Sequence, residues 1–314
     1  MRPRPASRGA RRALPLAIAA GTLLPLIAEA VPAAAATPQV VCSSARARIA
    51  PSLARDITAA LHGRRSTTAV ALYDRTTGTS CTLDASRRFD SASAVKVTVL
   101  AALLRQAKEA GRSLTSREVS LTTAMITRSD NDATTALWSQ LGVSRIKHFL
   151  SLAGMTQTTP GADGYWGLTQ ITARDELKLM ALLTSTNSVL GADSRSYALN
   201  LMNKVVSSQR WGVPAGTPAG VTVHVKNGWL PRATHGWRVH SVGAFTGGGR
   251  DYAIVVLTQD DSTMDYGIAT IEAVARVVHR DLNPKSAAGK PYGRPARPVH
   301  TPGTLNRPAA AARV

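Results

Sequence analysis

Ser93 and Lys96 stand three residues apart in "FDSASAVKVTVLAALL". On a helix that spacing puts both side chains on one face. A serine hydroxyl attacks a carbonyl well only when a base takes its proton. A lysine amine set among valines is partly desolvated, which lowers its pKa and suits it to that task. The first turn of a helix also presents unpaired N–H groups that favour a developing negative charge. Taken alone, the pair is a weak signal and reads more readily as a capping serine beside a lysine whose head snorkels to water.

Two further clusters change the weighting. Ser129-Asp130-Asn131 follows in "RSDND", and Lys226-Asn227-Gly228 closes the apolar stretch "VTVHVKNG" just before Trp229. The three clusters together resemble the S-x-x-K, S-D-N and K-T-G motifs of the penicillin-recognising serine enzymes, the class A β-lactamases and D,D-peptidases. The resemblance runs from about residue 45 to 280. It implies that Ser93 becomes acylated and that Lys96 accepts or relays its proton. Ser129 passes a proton to the leaving nitrogen. Asn131 holds the substrate's amide side chain and steadies Lys96. Lys226 supplies positive potential for a substrate carboxylate. The backbone N–H groups of Ser93 and Trp229 form the oxyanion hole, and Gly228 lets the strand approach the substrate closely. The implied reaction is hydrolysis of a β-lactam or related amide by an exported serine hydrolase. Alternatives are a D,D-carboxypeptidase acting on wall peptides and a penicillin-binding sensor domain without turnover.

Two departures from the family pattern bear on this. Asn227 stands where threonine or serine is usual, which alters the donor offered to a carboxylate. Class A enzymes also carry a glutamate, in a loop after the second motif, that activates water for deacylation. Here no glutamate occurs between Glu118 and Glu176, and the corresponding loop, "TPGADGYWGLT", holds one acid, Asp163. Deacylation is therefore expected to be slow unless Asp163 serves as the base.

The elements that must position these residues follow from periodicity. Ile49, Leu53, Ile57 and Leu61 mark one face of a helix ending at Gly63. "TTAVALYDR" and "SCTLDA" alternate as two strands about a turn. Helical segments then dominate from about 97 to 215. "VTVHVKNG", "RVHSVGAF" and "DYAIVVLTQ" read as three strands, and Ile268, Ile271, Val274 and Val278 mark a last helix. The expected fold is α/β (α+β): a five-stranded antiparallel sheet flanked by terminal helices, with an all-helical lobe inserted. Clefts between such lobes suit small molecules.

Residues 1–36 have the basic, apolar, small-residue order of a secretory signal, ending in Ala34-x-Ala36. The enzymatic domain is assigned to 37–283 and a disordered Pro/Ala/Arg-rich basic tail to 284–314. The net charge of +19 over 314 residues is concentrated at these ends. It forms no basic stripe, and aromatics make up only 4% of the chain, so a nucleic-acid partner is not expected. Cys42 and Cys81 read as a disulfide in an exported chain, with two free thiols as the alternative. Val41 before Cys42 argues against lipid attachment. A secreted, extracytoplasmic monomer follows, without stable membrane insertion after signal cleavage. Its partner would be a β-lactam or a peptidoglycan-derived peptide, and it needs no metal or cofactor. His235 and His240 read as surface or edge residues. Trp211 and Trp237 could line the cleft or pack in the core, and Arg238 could assist a substrate carboxylate.

Overall fold

The computed structural model describes residues 39–284. The expected leader lies outside them, as does the tail beyond Pro284. Strand β1 (Val41–Ser43) precedes helix α1 (Ile49–Leu61). Strands β2 (Thr67–Asp74) and β3 (Thr79–Leu83) form the first hairpin, and the short β4 (Phe89–Asp90) follows. Helices α2 (Lys96–Glu109), α3 (Ser116–Thr127) and α4 (Asn131–Leu152) come next. After β5 (Gln170–Ile171), helices α5 (Ala173–Thr184) and α6 (Ala192–Asn203) lead to β6 (Thr222–Pro231), β7 (Trp237–Gly247) and β8 (Arg250–Asp261). Helix α7 (Met264–Leu282) closes the order.

The main sheet is antiparallel, in the order β1-β3-β2-β8-β7-β6. It has six strands rather than the expected five. The extra strand, β1, has only three residues and so carries no legible alternation. Cys42 pairs with Cys81 across β1 and β3, and the two are disulfide-bonded. This closes a loop with a sequence separation of 39, worth about 3–4 kcal/mol in the loop-entropy model. A separate two-stranded ribbon joins β4 to β5.

The terminal helices pack on each other and on the sheet, as their apolar faces require. Leu53 and Ile57 of α1 are fully buried, as are Ile271, Val274 and Val278 of α7. Helix α5 was read as part of the inserted lobe, but it packs against β2, β7 and β8. Leu179, Met180 and Leu183 bury its sheet-facing side. The lobe proper is built on α2, which packs against α3, α4 and α6. Helix α2 is buried nearly all round, including Val97, Val99, Leu100, Ala101 and Leu103, as a central helix must be. Gly142, at φ 68°, divides α4 into two helical runs. No helix among the described residues is long and apolar enough to cross a membrane.

Candidate active site

The residues of the three motifs converge where α2, the α3–α4 connection and β6 meet. Ser93 lies in a 3-10 turn, Ala92–Val95, that runs straight into α2. The residue before it, Ala92, has φ 47°. Ser129, between α3 and α4, has φ 59°. Such left-handed backbone costs of order 1–3 kcal/mol at a non-glycine residue and clusters at functional sites.

Lys96 is fully buried. Its Nζ lies 2.6 Å from Ser129 O, 2.8 Å from Asn131 Oδ1 and 3.1 Å from Ser129 Oγ. Lys226 is also fully buried, its Nζ 2.7 Å from Asn227 O and 3.0 Å from Ser129 Oγ. Burial pushes the Lys96 amine well below its ordinary range; the nearby Lys226 pushes the same way, and Asp130 partly opposes them. Burial alone brings Lys226 down to about 7. A neutral amine has two N–H donors and one lone pair. The Ser129 carbonyl and Asn131 Oδ1 can only accept, so they take both donors of a neutral Lys96. In that neutral state its lone pair would face the Ser129 hydroxyl, whose oxygen accepts from Lys226.

Lys96 was expected to pair directly with Ser93. Instead its three contacts go to Ser129 and Asn131, and Ser93 Oγ makes no hydrogen bond among the described residues. The Ser129 carbonyl and the Asn131 amide oxygen hold the amine toward the start of α4.

Gly228 explains how β6 approaches the nucleophile turn. A Cβ there would stand 2.7 Å from Ala94 N, 2.9 Å from Ser93 N and 2.9 Å from Ser91 O. Only glycine permits this backbone contact, which brings Trp229 next to the turn. Trp229 is half-buried and meets Trp211 edge to face, with ring centroids 5.8 Å apart. Trp211 itself is buried, and Trp237 is half-buried at the start of β7.

Several expectations are corrected. Asn227 is fully buried, and its Nδ2 donates to the carbonyls of Gln209 and Trp211, each at 2.9 Å. With both amide hydrogens spent on backbone, it braces the segment beside β6 instead of meeting a substrate carboxylate. Asp163 is exposed, in a turn with φ 51°, and is not a hydrogen-bond partner of Lys96 or Ser93. His240, read as a surface or edge residue, is fully buried, and burial lowers it to about 4. Its Nε2 donates to Asp90 O at 2.8 Å. His235 is exposed, as expected, and pairs with Asp260. Arg238 is buried; its guanidinium pairs with Asp90 at 3.3 Å and with the Thr234 carbonyl, which removes it from the substrate side.

The supports that sequence reasoning missed surround Asp90. Gln170 Nε2 donates to Asp90 Oδ1 at 2.6 Å, and Ser91 N donates to Thr169 O at 2.8 Å. With His240 and Arg238, these bonds hold the turn before Ser93 from both β5 and β7. The other missed residue is Trp166, which is buried with its ring centroid 4.9 Å from Lys96 Nζ.

The family model described as "Beta-lactamase enzyme family" matches residues 52–119 and 118–282, which is most of the chain. The chain belongs to the beta-lactamase enzyme family. Solved members of similar fold include a class A beta-lactamase from Bacteroides cellulosilyticus DSM 14838. It is 16% identical, with a TM-score of 0.64 over 75% of this chain and 98% of that one. The TLA-3 extended-spectrum beta-lactamase is 17% identical, with a TM-score of 0.66 over 74% and 98%. A PBP-A mutant in acyl-enzyme complex with penicillin G is 19% identical, with a TM-score of 0.62 over 74% and 97%. At such identities the likeness to these beta-lactamase-family structures shows the fold. A candidate lipoprotein, LppW of Mycobacterium tuberculosis (strain ATCC 25618 / H37Rv), is 26% identical over 73% of this chain and 74% of its own length. Both cysteines of the present chain are joined in its disulfide.

Proposed function

We propose that this family member is an exported serine acyl-transfer enzyme that opens a β-lactam or related amide through an acyl-enzyme on Ser93. The observation that carries this reading is the shared hydroxyl of Ser129, 3.1 Å from one buried amine and 3.0 Å from another. Two lysines buried together cost far more than a structural role would return unless the site uses them.

In this reading Lys96, its pKa lowered by burial, turns in its neutral form from Ser129 to take the Ser93 proton as Oγ attacks the carbonyl carbon. The N–H groups of Ser93 and Trp229 stabilise the oxyanion. The tetrahedral centre then collapses with cleavage of the C–N bond. Ser129 gives its proton to the leaving nitrogen and is resupplied by the neighbouring amines. Hydrolysis of the ester is slow, because among the described residues no carboxylate hydrogen-bonds Lys96, and Asp163 is exposed on its loop. The disulfide and the candidate lipoprotein relative support an extracytoplasmic site of action.

The test is a pre-steady-state assay with a chromogenic cephalosporin. A burst of about one equivalent followed by a slow phase is expected. Fast multiple turnover that survives Asp163→Asn would contradict slow deacylation. Release of D-alanine from a wall-type peptide, without a cephalosporin burst, would favour the D,D-carboxypeptidase reading.

A further inference from the structure

The loop side of the pocket holds a side chain that the proposed acylation does not use. Trp166 is 1% exposed, and its indole lies against the Lys96 amine. Its Nε1 donates to Thr135 Oγ1 at 3.2 Å, one helical turn beyond Asn131 on α4. Its carbonyl accepts from Thr169 N at 3.1 Å and Ser91 Oγ at 3.4 Å. The ring is therefore fixed to the helical lobe, and its backbone to the turn that carries the nucleophile.

Resting on the acyl-enzyme reading above, we propose that Trp166 makes that intermediate long-lived by filling the space from which a hydrolytic water would attack. Discharge requires a water oxygen to add to the ester carbonyl carbon. The C–Oγ bond then breaks, one water proton ends on Ser93 Oγ, and the other leaves with the acid product. That water needs room beside Lys96 and a base to take its proton. The indole denies the room. It also offers no base, because its one polar hydrogen is a donor already given to Thr135. Trp166 thus acts through exclusion of water and touches neither the reacting bond nor the leaving group. Replacing the ring with a methyl group opens space for several waters, each needing ~30 Å³, and for a small carboxylate.

The experiment follows the acyl-enzyme formed with benzylpenicillin by intact mass, with and without sodium formate. It compares wild type, Trp166→Phe and Trp166→Ala, and records the acylation rate separately. Formate should leave the wild-type adduct lifetime unchanged, and Trp166→Phe should stay within about threefold of it. Trp166→Ala should still acylate, with a lifetime shortened at least ~10-fold in formate. If the alanine variant fails to fold, Trp166→Gln keeps an N–H for Thr135, vacates the ring volume and carries the same expectation. A lifetime in the opened variant that matches wild type with and without formate would overturn the role of Trp166 alone. Failure of wild type to form any adduct would instead overturn the acylation reading, and this inference with it.

Discussion

Ser129 Oγ lies 3.0 Å from Lys226 Nζ, and the same oxygen is 3.1 Å from Lys96 Nζ. One hydroxyl thus separates two buried amines that would otherwise face each other. Ser129→Ala should remove the proton path to the leaving nitrogen and lower the acylation rate by about 10²–10³-fold. Stopped-flow measurement of the cephalosporin burst checks this. A rate within threefold of wild type would remove Ser129 from the mechanism.

The amines also set a pH dependence. Lys96 must be neutral to accept a proton, and burial lowers its pKa, so acylation should slow as pH falls. The effect on stability runs in the same direction. An amine lowered in the folded state binds its proton more readily in the unfolded chain, so raising pH toward the ordinary lysine value of 10.5 favours folding. For Lys226 the window opens at about 7. Denaturant midpoints should therefore rise from pH 8 to 10 in wild type and rise less in Lys226→Met.

Glu176 should act oppositely at lower pH. It is fully buried on α5, neither carboxylate oxygen has a hydrogen-bond partner among the described residues, and burial raises it to about 8. Folding holds its proton above the ordinary carboxylate value of 4.5, so its contribution falls as pH rises from there toward 8. Glu176→Leu should raise stability at pH 8 by about 1–3 kcal/mol and flatten the decline between pH 5 and 8. Urea titrations at those two pH values are sufficient.

Gly228→Ala tests the strand's approach to the nucleophile. The added methyl would meet backbone atoms of residues 91, 93 and 94, which no side-chain rotation can relieve. A loss of about 1–3 kcal/mol is expected, with acylation reduced more than a surface alanine would explain. Thermal melts with burst kinetics separate the two effects.

How much of this was legible in the sequence depends on what set each feature. Lys96 stood out as a charge among valines, but Ser93, Ser129 and Lys226 were readable only because the three motifs together resemble those of a known family. The five longer strands and the terminal helices were readable from alternation and four-residue spacing. Strand β1 was too short to show a period. Asn227 and His240 were misread because β6 and β7 are buried on both faces. Alternation then does not say which way a side chain points. Trp166 sits in a loop, where no periodicity reports burial, and only the packing of 166–168 against the turn at 92–95 shows its place.

The central claim is a covalent bond on Ser93, and intact-mass spectrometry of the protein with benzylpenicillin, followed by peptide mapping, tests it most directly. The account predicts one stoichiometric adduct, mapped to Ser93, stable over many minutes and missing from Ser93→Ala. An adduct mapped elsewhere, or none at any time point from a folded wild-type protein, would contradict it.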